Sequence, residues 1–274
     1  MVTDRPLEKL ERMERLIVIP DVHGRKFWRS AVQGNEEEKI IFLGDYVDPY
    51  GWEGILPGEA YDELLDVISF KKAHPDNVVL LLGNHDLGYL DRSVCECRMD
   101  YYREKMIRKS FLDNLGLFDI AHMEKRNGDD ILFTHAGIAE GWVRNNTEIL
   151  GPGKFNPLTL NEMLHDDKRR PGLLSALSDI SWYRGGLDSV GSPIWADVHE
   201  FLEGERFLDG YLHIFGHTLH EGDPINVLNH GICVDCAKAF IYEGYPCRHP
   251  IRPASAPLLP STGNGPAASG NRTS

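Results

Sequence analysis

The stretch Leu16-Ile17-Val18-Ile19-Pro20-Asp21-Val22-His23-Gly24 joins a short apolar run to a cluster of polar side chains. Four aliphatic residues followed by a proline are typical of a buried strand that ends near Ile19. Asp21 and His23 follow directly at the carboxyl end of that strand. In open sheets that alternate with helices, ligand-binding groups collect beyond the carboxyl ends of the strands. The stretch therefore predicts an α/β fold with a polar site at one edge of a sheet.

The same arrangement recurs four more times along the chain. Apolar runs at 39–43, 78–82, 131–133 and 211–215 each precede a polar cluster. The clusters are Gly44-Asp45-Tyr46-Val47-Asp48, Gly83-Asn84-His85-Asp86, Thr134-His135-Ala136-Gly137 and Gly216-His217-Thr218. Two aspartates, an asparagine and three histidines are together the ligand types of a pair of borderline metal ions, which can ionise water at neutral pH. We therefore expect a hydrolytic two-metal site.

In sequence and order, these clusters resemble the motifs of the calcineurin-like metallophosphoesterases. Within that family they are most similar to the branch of phosphoprotein phosphatases and symmetrical diadenosine tetraphosphatases. The resemblance extends from about Leu16 to about Phe240. It implies an α/β fold of four layers, an αββα sandwich in which two mixed β-sheets pack face to face with helices outside. It also implies two divalent metal ions at the strand ends, with manganese or iron preferred and zinc possible.

The resemblance assigns six metal ligands: Asp21 and His23 to the first ion, Asp45 to both ions, and Asn84, His135 and His217 to the second. A single carboxylate can bridge two cations that lie roughly 3.5–4 Å apart. A hydroxide between the ions would then attack phosphorus in line with the leaving group. The expected activity is hydrolysis of phosphomonoesters, as in a Ser/Thr protein phosphatase.

Two further roles follow from the resemblance, proton donation and phosphate binding. His85 would donate a proton to the leaving oxygen, and Asp48 would orient it through its other ring nitrogen. Asn84 and the glycine-flanked Arg184 would bind the substrate phosphate, since a guanidinium offers a two-pronged fork to phosphate oxygens. Arg98 is a weaker candidate for the same role.

Three positions depart from the pattern of the branch. Pro49 stands where an arginine that grips phosphate typically follows Asp48. Asp86 replaces the glutamate of eukaryotic-type protein phosphatases and is more similar to the diadenosine tetraphosphatases. Leu219 stands where many phosphodiesterases of the wider family have a second metal-binding histidine, although His220 is next to it. This last departure favours the phosphatase branch over the cyclic-nucleotide and nuclease branches.

Two alternative functions stay open beside the phosphomonoesterase. One is hydrolysis of dinucleoside polyphosphates such as diadenosine tetraphosphate, which Asp86 favours. The other is a catalytically silent scaffold that binds proteins, which would be expected to lack some of the ligands or the proton donor. All of these residues are present in the chain.

The bulk composition fits a soluble enzyme with one catalytic domain. The chain has 274 residues, of which 42% are hydrophobic, and a formal net charge of −13. This charge argues against general nucleic-acid binding, so a phosphorylated small molecule or a phosphoprotein is the expected partner. No apolar run approaches the roughly 20 residues that span a bilayer, and the start of the chain is charged, so we expect a cytoplasmic protein without a membrane partner. The oligomeric state stays open.

The pattern along the chain divides it into three parts. We expect a leader at 1–14, the catalytic domain at 15–246 and a disordered tail rich in Pro, Ala, Ser and Gly at 247–274. Within the domain, helices are predicted over 58–73 and 99–115. The irregular region 141–191 is expected to overhang the site. Four aromatic residues in or just after this region are interpreted as packing anchors rather than base-stacking groups: Trp142, Trp182, Tyr183 and Trp195.

The remaining reactive residues are interpreted as structural. The five cysteines are expected to be reduced thiols, with a zinc site formed by Cys95-Glu96-Cys97 and Cys233-Val234-Asp235-Cys236 as a minor alternative. Asp235 is expected to support a metal ligand without binding metal itself. His213 is interpreted as a packing residue, and His199 is not expected to be a ligand.

Overall fold

The five apolar runs of the sequence form strands at the centre of two sheets. The structure is a computed structural model that describes residues 15–92, 97–126, 128–242 and 251–254. The predicted leader and most of the predicted tail lie outside these residues, as does Cys95 of the alternative zinc site. The strands are β1 Leu16–Ile19, β2 Lys39–Phe42, β3 Val78–Leu81, β4 Phe118–Asp119, β5 Ala121–Arg126, β6 Asp129–Thr134, β7 Leu212–Phe215, β8 Ile225–Val227, β9 Gly231–Cys233, β10 Phe240–Tyr242 and β11 Ile251–Pro253.

Both sheets are mixed. The first has the order β11-β10-β1-β2-β3-β4, and the second has the order β5-β6-β7-β9-β8. β1 to β4 run parallel, with Leu16 opposite Lys39 and Ile40 opposite Val78, while β10 and β11 are antiparallel. In the second sheet β6, β7 and β9 run parallel. The parallel strands bring their carboxyl ends to one edge of each sheet, which is where the polar clusters follow.

The alternation of side chains along the strands produces four layers. One set of inward-facing residues from both sheets packs together, including Leu16, Val18, Phe133 and Ile214. The intervening residues, such as Ile17, pack in a second core with residues from the helices. The predicted αββα sandwich is confirmed.

The described residues form nine α-helices around the sheets. They are α1 Phe27–Val32, α2 Pro57–Ala73, α3 Asn84–Leu90, α4 Glu104–Asp113, α5 Glu140–Asn145, α6 Thr147–Leu150, α7 Thr159–His165, α8 Arg170–Leu177 and α9 Val198–Leu202. The predicted helix over 58–73 is confirmed as α2, which begins with proline at its first position as helices commonly do. None of the helices in the described part of the chain is long and apolar enough to cross a membrane.

The second predicted helix, over 99–115, is shorter than expected. α4 covers only Glu104–Asp113, and turns occupy 97–103. The side chain of Asp100 accepts hydrogen bonds from the backbone N–H groups of Tyr102 and Arg103, at 3.1 Å each. Such local bonds compete with helical ones, so the chain turns here before the helix starts. This turn places Arg98 beside the polar edge of the sheets.

Candidate functional site

Hydrogen bonds join the loops that carry the first three polar clusters. The backbone N–H of His23 donates to the carbonyl of Asp45 at 2.6 Å. The carboxylate of Asp86, in the first turn of α3, accepts from the backbone N–H groups of Asp45 at 2.7 Å, Tyr46 at 2.9 Å and Gly83 at 2.9 Å. Asp86 therefore fixes the second cluster against the third. The sequence alone did not predict this structural role.

Asp45 lies at the centre of the convergence. Its Oδ2 atom is 3.5 Å from Nε2 of His23 and 3.5 Å from Nε2 of His135. Two groups of possible metal-binding atoms, each within 4.8 Å of one another, share Asp45: His23 with Asp45 and His85, and Asp45 with His135 and His217. A carboxylate between two sets of imidazoles has the placement that a bridging ligand requires.

The other predicted ligands lie in the same cluster. Nε2 of His135 is 3.1 Å from Oδ1 of Asn84 and 3.1 Å from Nδ1 of His217. Oδ2 of Asp21 is 3.9 Å from Nε2 of His23, and its Oδ1 accepts from the backbone N–H of His217 at 3.0 Å. All six side chains are buried. The structure thus brings together residues that are almost 200 positions apart.

The geometric groups include His85, which is not a predicted ligand, and they do not include the predicted ligands Asp21 and Asn84. The Nδ1 atom of His85 is 2.8 Å from Oδ2 of Asp48, and its Nε2 atom is 3.0 Å from Nη2 of Arg98. Both ring nitrogens of His85 therefore already have a neighbour in the protein. These contacts favour the predicted role in proton transfer over metal binding.

Backbone carbonyls orient two of the imidazoles towards the centre. Nδ1 of His23 lies 2.8 Å from the carbonyl of Val47, and Nδ1 of His135 lies 2.9 Å from the carbonyl of Leu43. A carbonyl can only accept, so each Nδ1 donates a hydrogen to its carbonyl and each Nε2 faces the site. Such outer contacts are common for histidines that bind metals.

The electrostatics of the cluster fit a pair of cations. Burial raises the pKa of Asp45, and the nearby charge of Asp21 adds to this effect. Burial also lowers the pKa of His23 and His217 well below the usual value, which keeps both imidazoles neutral. Among the described residues, Nε2 of His217 has no hydrogen-bond partner. Because buried carboxylates and unpartnered buried nitrogens are costly, the donor set is suited to divalent ions.

Asp235 is buried close enough to Asp21 for the two carboxyl groups to interact electrostatically. It is 1% exposed, and its Oδ1 atom has no hydrogen-bond partner among the described residues. Burial and the neighbouring charge of Asp21 raise the pKa of its carboxyl group well above the usual value. The expectation that Asp235 assists a ligand without binding metal stays a prediction.

The His85–Asp48 pair is anchored by a tyrosine that sequence reasoning did not single out. Tyr89, on α3, donates its hydroxyl hydrogen to Oδ1 of Asp48, while Oδ2 of Asp48 faces His85. Burial lowers the pKa of His85, but the charge of Asp45 and the hydrogen bond to Asp48 outweigh it and raise the pKa to about 10. Two bound cations would oppose this rise.

Arg184 lies beside the loop of His217 and is held by protein acceptors. Its Nη2 atom donates to the carbonyl of His217 at 2.9 Å and to Oγ1 of Thr218 at 2.8 Å. Its Nε atom is 2.8 Å from Oδ2 of Asp197. The predicted phosphate-binding arginine therefore also braces the loop after β7. The sequence signal for Asp197 was its position as the capping residue of α9, three residues before Glu200.

Of the four aromatic residues interpreted as packing anchors, two are buried and two are exposed. Trp142 is fully buried, and Trp195 packs with its ring centroid 5.6 Å from that of His217. Trp182 and Tyr183 are 63% and 46% exposed and are not part of the core, although Tyr183 stacks on His199 with ring centroids 6.0 Å apart and Trp182 donates to the carbonyl of Leu187. Both residues lie with Arg184 in a one-turn 3-10 helix, Trp182–Arg184, and their rings are exposed to solvent.

The two remaining histidine predictions have different outcomes. His213 is buried in β7 with its ring stacked 4.6 Å from that of Phe207, so the packing interpretation is confirmed. The side chain of His199 is 58% exposed and contacts Asp197. It is in neither of the two groups of possible metal ligands among the described residues.

Backbone strain is concentrated at this site. Among the described residues, eight non-glycine residues have a positive φ, and five of them belong to the site: His23, Asp45, Asp48, Arg98 and His217. A left-handed conformation is unfavourable for a residue with a side chain, and it persists where the surrounding structure enforces it. The loops are therefore built to aim these side chains, and Arg98 shares this property with four predicted site residues.

Family profiles agree with this geometry. The profile of calcineurin-like phosphoesterases matches residues 14–221, which is more than half of the chain. The chain therefore belongs to the calcineurin-like phosphoesterase family. It is a metal-dependent phosphoesterase, and the family implies two divalent ions that the His and Asp groups can hold. No curated protein matches the sequence significantly.

Solved structures with a similar fold come from phosphatases. A cold-active protein-tyrosine phosphatase from a psychrophilic Shewanella species aligns with a TM-score of 0.52 and 17% identity over 84% of this chain and 75% of that chain. A further structure of a cold-active protein tyrosine phosphatase aligns with a TM-score of 0.53 and 18% identity over 84% of this chain and 73% of that one. At these identities the similarity concerns the fold alone.

Proposed function

We propose that the protein is a phosphomonoesterase that binds two divalent ions and acts on phosphoserine or phosphothreonine side chains. The observation that carries this proposal is the position of Asp45, whose Oδ2 atom is 3.5 Å from a histidine nitrogen on each side. The His85–Asp48 pair lies beside it. A bridging carboxylate next to a proton donor is the arrangement that hydrolysis of a phosphoester needs.

The residues that would hold the ions divide around Asp45. Asp21 and His23 would hold one ion, and Asn84, His135 and His217 would hold the other, with Asp45 shared. When bound, two such ions supply charge neutralisation and a water of lowered pKa as the nucleophile. Manganese or iron is the proposed pair, and the mixed nitrogen and oxygen donors also suit zinc.

The chain itself would supply the proton for the leaving group. In this proposal His85 donates from Nε2 to the oxygen that leaves phosphorus. Asp48 accepts a hydrogen bond from Nδ1 and stabilises the imidazolium. The hydroxyl of Tyr89 holds the second carboxylate oxygen of Asp48, which restricts the rotation of the pair. Asn84 would contact the phosphate as well as an ion.

A dinucleoside polyphosphate hydrolase is the second candidate. Asp86 favours it, and the exposed rings of Trp182 and Tyr183 offer surfaces for a base. The monoesterase is preferred because Trp142 and Trp195, the two other aromatic candidates, are buried and unavailable for stacking.

A substrate panel with the metal-loaded protein tests this proposal. Purified protein with saturating manganese is incubated with p-nitrophenyl phosphate, with phosphoserine and phosphothreonine peptides, and with diadenosine tetraphosphate. We expect phosphate release from p-nitrophenyl phosphate and from the phosphopeptides. Elemental analysis should find two bound ions per chain. The Asp45→Asn variant is the control for contaminating phosphatases.

Two results would contradict the proposal in different ways. Release of adenosine diphosphate without turnover of the phosphopeptides would support the second candidate. Absence of hydrolysis of every ester with manganese, iron and zinc would support the silent scaffold that binds proteins.

A further inference from the structure

We propose that Arg98 binds the phosphoryl group of the substrate from the side of the leaving oxygen. This inference rests on the proposed function and names the residue that holds the substrate next to His85. The chain has Pro49 directly after Asp48, so this loop supplies no cation at that position. Arg98 reaches the same place from the turn before α4.

The contacts of Arg98 place its guanidinium at the proton donor. Nη2 of Arg98 lies 3.0 Å from Nε2 of His85, and Nε donates to the carbonyl of Asp48 at 3.3 Å. The Nε2 atom is the one that faces away from Asp48. An oxygen in front of both nitrogen atoms could accept a hydrogen bond from each, and a phosphoryl oxygen with its negative charge is the strongest such acceptor.

The guanidinium is held in position by an aromatic ring. Its central carbon lies 3.9 Å from the ring centroid of Tyr50, a cation–π distance. Tyr50 in turn packs on Trp52, with ring centroids 4.4 Å apart, and its ring meets that of His23 edge-on at 5.0 Å. The arginine is therefore oriented by packing before any substrate arrives.

The charge of Arg98 is available for an anion, in contrast to that of Arg184. Arg184 lies 2.8 Å from the carboxylate of Asp197, which neutralises it. In the part of the chain that the structure describes, the contacts of Arg98 are a ring nitrogen, a backbone carbonyl and an aromatic face, and none of them is a carboxylate. An exposed cation beside a buried acidic site attracts an anionic ester to the side where His85 lies.

The backbone at Arg98 supports a functional placement. Its φ is 57°, in the left-handed region that residues other than glycine rarely adopt. A strained backbone is retained where it aims a side chain that the protein uses. The strain here directs the guanidinium over Tyr50 and towards His85.

Direct phosphate binding separates this inference from the proposed catalysis. Inorganic phosphate is titrated by calorimetry into the manganese-loaded wild-type protein and into Arg98→Ala, Arg98→Lys and Arg103→Ala variants. Arg103 is the matched control, because it also lies over a tyrosine ring, that of Tyr102, but it pairs with Asp100. We expect Arg98→Ala to weaken phosphate binding about 10- to 100-fold, Arg98→Lys to weaken it less, and Arg103→Ala to change it less than twofold.

Chemical rescue distinguishes a contact with phosphate from a structural effect. Millimolar guanidinium added to Arg98→Ala should restore part of the phosphate affinity, and also part of kcat/KM with p-nitrophenyl phosphate where the wild type hydrolyses it. Unchanged phosphate affinity in Arg98→Ala would overturn the inference, and so would an equal loss in Arg103→Ala without rescue. A wild-type protein that binds phosphate through Arg98 but hydrolyses no ester would contradict the proposed function and leave this inference standing.

Discussion

Two arginines lie at the polar edge of the sheets, Arg98 beside His85 and Arg184 beside the loop after β7, and their surroundings differ. The wall formed by residues 48–53 and 97–103, here called the acid wall, carries Arg98 beside His85. The wall formed by residues 181–199, here called the brace wall, carries Arg184. Arg184 is neutralised by Asp197 and bonded to the loop after β7, whereas Arg98 contacts no carboxylate among the described residues. The comparison teaches that the role of an arginine follows from the groups that already occupy its donors.

The largest expected effect comes from removing His85, the proposed proton donor of the acid wall. His85→Asn should lower kcat by about 10²- to 10⁴-fold, because general acid catalysis contributes an effect of this size. His199→Asn, the matched change on the brace wall, should alter kcat less than twofold, since that side chain is exposed and contacts only its own wall. Initial rates with p-nitrophenyl phosphate measure both.

The metal content of the His85→Asn variant distinguishes a proton donor from a metal ligand. His85 belongs to one of the two geometric ligand groups, so its role as a proton donor predicts that His85→Asn keeps two ions per chain. If the variant loses an ion together with its activity, His85 is a metal ligand. The proposed proton donation by the acid wall would then be wrong.

The second effect is on stability, and here the variant of the brace wall is expected to lose more than the variant of the acid wall. Arg184→Ala should lower the free energy of unfolding by roughly 1–3 kcal/mol, because it removes a partner of the buried Asp197 and two hydrogen bonds to the loop at 217–218. Arg98→Ala should change it by less than about 0.5 kcal/mol, as is usual for an exposed side chain. Urea denaturation of both variants at pH 7.5 measures the difference. Equal losses would remove the contrast between the walls.

The smallest effect concerns β7, the strand before the loop at 217–218 to which Arg184 of the brace wall is bonded. Burial lowers the pKa of His213 to about 4, whereas the unfolded chain has the ordinary value near 6.5. Because the folded state resists protonation, stability from this residue is complete above pH 6.5 and falls as the pH drops towards 4. The expected loss between pH 7.5 and pH 5.5 is about 1.4 kcal/mol.

Urea midpoints at the two pH values test this dependence against a variant. His213→Gln keeps a donor for the carbonyl of Leu208, which His213 contacts at 2.9 Å, but it does not titrate. The variant should lose less stability than the wild type over the same interval. An identical pH dependence in both proteins would assign the effect to other groups.

Much of the fold could be predicted from local patterns. The runs before Asp21, Asp45, Asn84, His135 and His217 were all predicted as strands, because short and mostly apolar runs ended by Pro, Gly or a polar residue are typical of buried strands. The segment 99–115 was harder, since its apolar spacing suits a helix while the side chain of Asp100 stabilises a turn at its start. Competition between a local hydrogen bond and helical periodicity is decided by small energies that a pattern does not contain.

What the sequence by itself determined is the set of chemical groups: two motifs with aspartate, the Asn-His pair and two later histidines, each placed after a strand. Only the tertiary structure decided how far apart those groups lie, which arginine is neutralised, and that Tyr50 and Tyr89 hold Arg98 and Asp48 in position. The physical reason is that strand patterns depend on neighbours along the chain. The charge balance at a site depends on residues such as Asp197 and Arg98, which come close to it only when the chain folds.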